Sequence, residues 1–262
     1  MITSISNNKV KLARALHWRR YRYQERRFLV EGIRLLEEVV KAGISPVFVF
    51  YTDDVYADRR GSALLDDLRR LTGDVYQVTR QVLRAAADTV TPQGVVAVVP
   101  FPEKPAPPDP ALTLVVDGLQ DPGNLGTLLR AAEAAGVGQV ILAPGTVDPY
   151  NPKVVRAGMG AHFRLPMSMS AEWDTIAGLT AGRSVWLADA SAERAYYDVD
   201  WTQPSALIIG SEAHGAGPEA RRLATGSIAI PMVGDAESLN AAVAASVILF
   251  EASRQRSQAM AE

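Results

Sequence analysis

Three short polar segments in the C-terminal half of the chain contain residue types that could carry out chemistry. They cover residues 121–130, 210–215 and 230–240. Arg130 offers a planar guanidinium group, which suits a phosphate or a developing oxyanion. The neighbours of Arg130 are mostly apolar. We therefore expect Arg130 to be buried against an anion, because an unpaired buried charge is costly. An ion pair with Glu133 on the same helix is the alternative.

Apolar runs that are typical of buried strands precede the three polar segments. The runs cover residues 114–116, 206–209 and 228–230, and a predicted helix follows each polar segment. Loops at the carboxyl ends of strands in an open α/β sheet converge on the ligand crevice. The sequence therefore predicts that the three segments form one binding site.

The same alternation extends over residues 111–262, which we interpret as one α/β domain. Predicted strands lie at 112–116, 139–142, 184–188, 205–209 and 228–230. Predicted helices lie at 124–135, 152–158, 171–180, 218–223 and 238–255. Strands that alternate with helices predict a mainly parallel sheet with both faces covered. The last helix is apolar on nearly all sides, which predicts burial in the core or in a subunit interface.

A proline-rich stretch at residues 100–110 separates this domain from a smaller α/β domain at residues 1–99. Six of the 16 prolines lie in that stretch. Proline favours extended geometry, so the stretch is predicted to be a semi-rigid linker. In the smaller domain, the pattern predicts helices near 8–16, 31–42 and 62–71 and strands near 28–30, 47–51 and 94–99.

Composition narrows the class of protein. The 262 residues include no cysteine and three histidines, His17, His162 and His214. The absence of cysteine excludes a disulfide framework, and the histidines lack metal-ligand spacing, so no metal site is predicted. The N terminus has no apolar core of a secretion signal. The longest nearly apolar run, 241–250, falls short of the about 20 residues that span a bilayer. We expect a cytoplasmic protein with no membrane partner.

Charge is spread unevenly along the chain. The net charge is −2, but residues 1–30 hold eight lysines and arginines against one glutamate, or +7, which leaves −9 for the remainder. Aromatic side chains lie among these cations, and such rings stack on unpaired bases while the charges meet phosphates. The aromatic residues are His17, Trp18, Tyr21 and Tyr23, and the cations predicted to bind RNA are Lys9, Lys11, Arg14, Arg19, Arg20 and Arg22.

A second predicted anion site lies in the C-terminal half. Lys153 and Arg156 are three residues apart on a predicted helix and share a face. For this pair and for the N-terminal cations, a solvated basic face is the alternative.

Four blocks of sequence carry a resemblance to a known family. They are LVVDGLQDPGNLGTLLRAAEAAGV, NPKVVRAGMGAHFRLP, LIIGSEAHGAG and IPMVGDAESLNAAVAASVILFEASRQR. In this order they closely resemble the signature blocks of the SpoU (TrmH-like) RNA 2′-O-ribose methyltransferases, which are S-adenosylmethionine enzymes of the SPOUT class. Residues 7–40 are similar to the L30e-like substrate-binding domain that precedes many SpoU catalytic domains. Where many family members have a serine after Arg-Ala, this chain has Gly158, and we assign it no polar role.

The resemblance implies roles for particular residues. It implies a catalytic site formed by Asn124, Arg130, Glu212, Ser238 and Asn240. It implies contacts to S-adenosylmethionine from Gly210, Ile230, Met232, Ser238 and Leu239. It also implies that the C-terminal segment forms a deep trefoil knot and that the protein is a homodimer with shared sites.

Local rules leave alternatives for three of the polar residues. Ser238 could be a helix N-cap, and Glu212 could brace its loop. His214 is more typical of a loop residue than of a general base, since no orienting partner is visible.

In members of this family, the arginine that corresponds to Arg130 is usually assigned the role of activating the ribose 2′-hydroxyl. A guanidinium does not deprotonate near neutral pH. We therefore expect Arg130 to stabilise the forming 2′-alkoxide and to hold the adjacent phosphate.

The resemblance implies an S-adenosylmethionine-dependent RNA 2′-O-ribose methyltransferase, and the L30e-like front domain favours 23S rRNA as its substrate. A tRNA substrate is the alternative within this class, and a base-methylating SPOUT enzyme is the nearest enzymatic rival. A catalytically idle RNA-binding protein of the same fold is the alternative from another class. The missing glycine fingerprint disfavours a nucleotide-dependent dehydrogenase.

Overall fold

The computed structural model describes residues 1–57, 59–212, 214–235 and 238–260. Residue 213 of the second polar segment and residues 236–237 of the third therefore lie outside the described residues.

The chain forms two compact units. The first comprises Met1–Glu103 with Asp148–Phe163, and the second comprises Lys104–Val147 with Arg164–Glu262. The domain boundaries at residues 99 and 111 stay a prediction. The first unit shows, in addition, that a short segment from the C-terminal half, Asp148–Phe163, packs with the N-terminal residues.

The first unit is built on a small mixed sheet. Its strands are β1 (Arg27–Glu31), β2 (Phe48–Tyr51), β3 (Val75–Gln77) and β4 (Val95–Pro100), in the sheet order β1-β4-β2-β3. Strand β4 runs antiparallel to β1 and β2, and β3 runs parallel to β2. The helices are α1 (Asn8–Ala15), α2 (Arg19–Glu25), α3 (Ile33–Lys41), α4 (Arg59–Leu71) and α5 (Arg80–Ala86).

Apolar side chains from α1 and α5 pack on this sheet. Val10 and Leu16 share a buried cluster with Phe48, Val82 and Val96. Helix α1 begins after Asn7, as predicted, because the Asn7 side chain accepts a hydrogen bond from the Lys9 backbone nitrogen. The sequence pattern missed α2, α5 and β3, since these elements are short and carry no long apolar stripe.

The second unit contains a six-stranded sheet. Its strands are β5 (Leu112–Val116), β6 (Gln139–Leu142), β7 (Met167–Ser168), β8 (Ser184–Ala188), β9 (Ser205–Ile209) and β10 (Gly226–Ile228), in the order β10-β8-β9-β5-β6-β7. All neighbouring strands are parallel, which confirms the predicted α/β fold with a mainly parallel sheet. The trefoil knot stays a prediction.

In the described part of the chain, five helices follow β5. They are α6 (Pro122–Ala134), α7 (Pro152–Gly158), α8 (Trp173–Leu179), α9 (Pro218–Leu223) and α10 (Ala241–Ala259). Helix α7 belongs to the first unit, where Tyr150 and Phe163 on either side of it pack on Phe28 with ring centroids 4.9 and 6.1 Å away. In the described part of the chain, no helix combines the length and apolar character needed to span a membrane.

The register of the second sheet brings the carboxyl ends of its strands to one edge. Val116 at the end of β5 pairs with Ile209 at the end of β9, and Leu187 of β8 pairs with Ile208. Every residue of β5, β6 and β9 is buried, as expected for parallel strands covered on both faces. The loops that follow these strands therefore begin side by side.

Three of the helix starts after β5 differ from the prediction, and one of them is that of α8, which begins at Trp173 instead of residue 171. Helix α6 begins at Pro122 because Asp121 caps it, accepting a hydrogen bond from the Asn124 backbone nitrogen at 2.8 Å. Helix α10 begins at Ala241, and its N-cap is Asn240, whose side chain accepts from the backbone nitrogens of Ala242 and Val243. The alternative that made Ser238 the N-cap is therefore wrong.

Candidate active site

A cavity of about 490 Å³ lies at the carboxyl ends of the parallel strands. It is lined by residues that follow β8, β9 and β10 and by the start of α10. All five residues predicted to contact a cofactor line it, namely Gly210, Ile230, Met232, Ser238 and Leu239. The predicted catalytic residues Glu212 and Asn240 line it as well. The second and third polar segments therefore meet here.

The first polar segment joins the other two through a chain of hydrogen bonds. The Asn240 amide nitrogen donates to the Asn124 carbonyl oxygen at 3.0 Å. The Asn124 amide nitrogen donates to a Glu212 carboxylate oxygen at 2.7 Å. Residues separated by more than 80 positions in sequence are thus held in one polar network. This network holds together a carboxylate and two side-chain amides, and two of its three residues, Glu212 and Asn240, line the cavity.

Gly210 allows the loop after β9 to fold tightly against itself. A Cβ atom at Gly210 would overlap the backbone of Gly215 and Ala216, so no larger residue fits. The loop is closed by paired backbone hydrogen bonds between Ser211 and Gly215. The Gly217 backbone nitrogen donates to the Asp117 carboxylate at 2.7 Å. These contacts place Gly210 and Gly215, which have no side chain beyond hydrogen, in the cavity wall.

Arg130 does not lie where we expected. It is exposed, because Leu128, Leu129 and Ala132 point into the core and Arg130 lies on the opposite face of α6. The predicted burial is therefore wrong, although the apolar neighbours are as the sequence suggested.

Arg130 also stands apart from the cavity and from its neighbours on the helix. It does not line the cavity. The alternative of an ion pair with Glu133 is not found either, since Glu133 pairs with Arg164 at 2.8 Å. Among residues 1–57, 59–212, 214–235 and 238–260, no hydrogen bond or ion pair involves Arg130. Its guanidinium group is free to meet an outside anion.

Sequence reasoning missed one ion pair in the cavity wall. Asp189 directly follows β8, and its carboxylate accepts a hydrogen bond from Arg221 of α9 at 2.7 Å. Hydrogen bonds from the Ser191 side chain and from Arg221 lower the pKa of Asp189 to about 2. A signal was available, since Asp189 follows a buried strand just as the three polar segments do.

Arg22 is the main correction among the predicted RNA-binding residues. Its side chain is 3% exposed, and its Nε donates to Asp148 at 3.0 Å. Its Nη1 donates to the backbone carbonyl oxygens of Leu16 and His17, both at 2.8 Å. Tyr23 donates to the other oxygen of Asp148 at 3.1 Å. Arg22 therefore stabilises the first unit and is not available to RNA.

Of the other seven predicted RNA-binding cations, two form ion pairs and five are exposed. Lys9 pairs with Asp74 at 3.4 Å, and Arg156 pairs with Asp88 at 2.7 Å. The exposed cations are Lys11, Arg14, Arg19, Arg20 and Lys153. Next to the N-terminal group, Trp18 is 71% exposed and Tyr21 is 42% exposed. Exposed cations and exposed aromatic rings therefore occur together in the N-terminal residues 11–21.

His162 is not placed as a general base. His162 is buried and its Nε2 donates to the Pro149 carbonyl at 2.7 Å. Burial lowers the pKa of His162 to about 4, so its ring is neutral near pH 7. In the portion of the chain that the structure describes, no group of three or more histidines, aspartates or glutamates could hold a metal ion.

Comparison with known proteins identifies this arrangement. Residues 111–250 match the SpoU rRNA methylase family, and residues 7–97 match the MRM3-like substrate binding domain. The chain belongs to the SpoU rRNA methylase family.

Relatives that match nearly the whole chain support this placement. The Bacillus subtilis 23S rRNA (guanosine(2553)-2′-O)-methyltransferase RlmP is 34% identical, and the match covers 95% of this chain and 97% of RlmP. A 23S rRNA (uridine(2479)-2′-O)-methyltransferase from Streptomyces viridochromogenes is 33% identical, with 87% of this chain and 83% of that protein covered. The crystal structure of an AdoMet-bound rRNA methyltransferase from Sinorhizobium meliloti has a TM-score of 0.83 and 31% identity, covering 97% of each chain.

Proposed function

We propose that this protein is an S-adenosylmethionine-dependent methyltransferase that modifies a ribose 2′-oxygen in 23S rRNA. The observation that carries the proposal is the cavity at the carboxyl ends of the parallel strands, which Glu212 and Asn240 of the Asn124–Glu212–Asn240 network line. The family membership and the relatives that act on 23S rRNA support the substrate.

The residues in the cavity wall fit the proposed cofactor. Ile209, Ile228 and Ile230 supply apolar surface for a purine ring, and apolar walls with a few polar groups are typical of such sites. The folded-back loop at Gly210 gives close backbone approach. S-adenosylmethionine has no phosphate, which agrees with the missing phosphate-binding glycine motifs.

The chain supplies orientation and charge for the reaction. S-adenosylmethionine, when bound, supplies an electrophilic methyl group on a sulfonium. The Asn240–Asn124–Glu212 network would hold the substrate ribose at the cavity, because orientation of reacting groups carries much of a displacement's rate gain. Arg130 would stabilise the developing 2′-alkoxide without giving up its own proton. Since Arg130 does not line the cavity of its own chain, we propose that the site is shared between the subunits of a dimer.

Methyl transfer from tritiated S-adenosylmethionine tests the proposed function. We expect label to enter 23S rRNA and the labelled position to resist alkaline cleavage, because a methylated 2′-oxygen cannot attack the neighbouring phosphate. Bulk tRNA in a parallel reaction tests the alternative substrate. RNA binding with no transfer to either RNA would favour the idle RNA-binding protein and would contradict the proposal.

The exposed cations of the first unit are the proposed RNA-binding surface. Replacing Arg14, Arg19 and Arg20 with glutamine should lower the slope of log affinity against log salt by about 2 to 3, because each lost phosphate contact removes about 0.7 to 0.9. A salt titration of RNA binding measures this slope. The control is the triple glutamine variant of Arg69, Arg70 and Arg222, which pair with carboxylates of their own helices. Equal slopes for the two triple variants would make the surface a solvated basic face.

Helix α10 supports the proposed homodimer. Val243 is 47% exposed and Phe250 is 50% exposed, and residues seven apart lie on one helix face. Light scattering should give about 56 kDa, twice the 28.2 kDa chain. Replacing both residues with serine should give the monomer mass, since an apolar face drives such contacts. A wild-type protein that is monomeric and fully active would contradict the dimer.

An rRNA-modifying enzyme works where ribosomes are assembled, and we propose on that ground that this protein is located in the cytoplasm.

A further inference from the structure

Asp189 and Arg221 form a charged pair in the wall of the cavity that the proposed mechanism does not use. One oxygen of Asp189 accepts from the Ser191 backbone nitrogen and hydroxyl at 3.0 and 2.7 Å. The other oxygen accepts from Arg221 at 2.7 Å. An ionised carboxylate has about four acceptor positions, so an acceptor position remains beside the Arg221 bond.

The pair lies beside the apolar part of the cavity. The Asp189 backbone nitrogen donates to the Ile228 carbonyl oxygen at 2.9 Å, and Ile228 and Ala229 line the same cavity. Glu212 and Asn240, in contrast, are hydrogen-bonded to Asn124, which does not line the cavity. A purine packed on the apolar wall would place its attached ribose within reach of a neighbouring carboxylate.

We infer that Asp189 accepts a hydrogen bond from a ribose hydroxyl of the adenosyl cofactor and that Arg221 is a positioning residue for Asp189. The inference rests on the proposed function, because it takes S-adenosylmethionine as the ligand. An acceptor suits this part of the ligand, since the ribose hydroxyls are donors.

The side chain of Arg221 is placed to hold the acceptor. Within the described residues, the hydrogen bond to Asp189 is the one that the Arg221 side chain makes, and this side chain is 51% exposed. The residue therefore restricts Asp189 from one side while its own outer face meets solvent. Its neighbour Arg222 pairs with Glu219 on the same helix at 2.9 Å instead. The two arginines thus offer a matched comparison.

Calorimetry with two probes tests the assignment. S-adenosylhomocysteine carries the whole nucleoside and the amino-acid tail, whereas 5′-methylthioadenosine lacks the tail. Asp189→Asn should weaken both probes by a similar factor of about 10- to 100-fold, the range expected for one hydrogen bond to a charged acceptor. The 2′-deoxy and 3′-deoxy forms of methylthioadenosine then identify the hydroxyl. Loss of that hydroxyl should weaken wild type by about tenfold and the variant by less than about twofold.

Asp200→Asn is the control for folding. Asp200 accepts from the Thr202 backbone nitrogen and hydroxyl at 3.0 and 2.5 Å, in the same turn geometry as Asp189, but it does not line the cavity. The affinity of the Asp200→Asn variant for both probes should equal that of wild type. Arg221→Gln should weaken both probes by about threefold, and Arg222→Gln should leave them unchanged.

Three results would overturn the inference. A loss confined to S-adenosylhomocysteine would move Asp189 to the amino-acid end. Equal losses in Asp189→Asn and Asp200→Asn would make the effect one of folding. An Asp189→Asn variant that binds both probes as wild type does would remove Asp189 from the site. If wild type binds neither probe, the proposed function itself fails. If wild type binds both probes and Asp189→Asn binds them equally well, only the inference about Asp189 fails.

Discussion

Replacing Arg130 with alanine should lower methyl transfer by about 10²- to 10³-fold, the size of effect seen when one oxyanion-stabilising group is removed. The affinity for S-adenosylhomocysteine should change by less than about threefold, because Arg130 is outside the cavity that would hold the cofactor. The exposed guanidinium has no hydrogen-bond or ion-pair partner among the residues described, so its removal breaks no such bond within the described part of the fold. Single-turnover transfer assays and calorimetry measure the two quantities.

Thr127→Ala is the matched control for this prediction. Thr127 is exposed on the same helix, three residues before Arg130, and its truncation should leave transfer unchanged. Cofactor affinity that falls in step with activity in Arg130→Ala would move Arg130 into the cofactor site. Full activity of the variant would remove Arg130 from the mechanism.

Replacing Arg22 with alanine should destabilise the protein by about 3 to 5 kcal/mol, because it leaves the buried Asp148 without its cation. Asp148 is 6% exposed, and Tyr23 and the Tyr150 backbone nitrogen would remain as its donors. Burial and the neighbouring Asp148 already raise the pKa of Tyr23 to about 12. Urea unfolding followed by circular dichroism gives the free energy of unfolding.

Arg20→Ala serves as the comparison for Arg22→Ala. Arg20 is exposed on the same helix, and a surface substitution of this kind should stay within about 0.5 kcal/mol of wild type. A destabilisation of less than about 1 kcal/mol in Arg22→Ala would contradict the structural role. RNA affinity measured well below the unfolding transition should fall in Arg20→Ala and not in Arg22→Ala, since Arg22 is buried in the folded protein.

The parallel sheet could be predicted from sequence because its strands β5, β6 and β9 are mainly apolar runs that are buried on both faces. Strands β5, β6, β8 and β9 begin and end where the pattern placed them. The polar loops after β9 and β10 then had to meet, since parallel strands end at one edge. Strand β7 was missed because it has only two residues.

Burial of charged groups could not be predicted in the same way. Arg22 lies in a run of cations, and local reasoning treats such a run as a surface. Its partner Asp148 is 126 positions away, and no rule of spacing connects the two. Arg130 gave the opposite error, because its apolar neighbours suggested burial while the helix turns it outward. The Asp189–Arg221 pair, separated by 32 positions, was missed for the same reason as the Arg22 pair.

The side chain of Asn240 does two things at once, and this affects how its variants must be interpreted. Its oxygen caps α10 and its nitrogen donates to Asn124. Asn240→Ala would remove both functions, so lost activity could come from a frayed helix start and not from the missing amide. Aspartate is also a strong N-cap, but a carboxylate has no N–H to donate. Asn240→Asp therefore keeps the cap and deletes the donor. Comparing the two variants separates the effect of the lost hydrogen-bond donor from the effect of the lost helix cap.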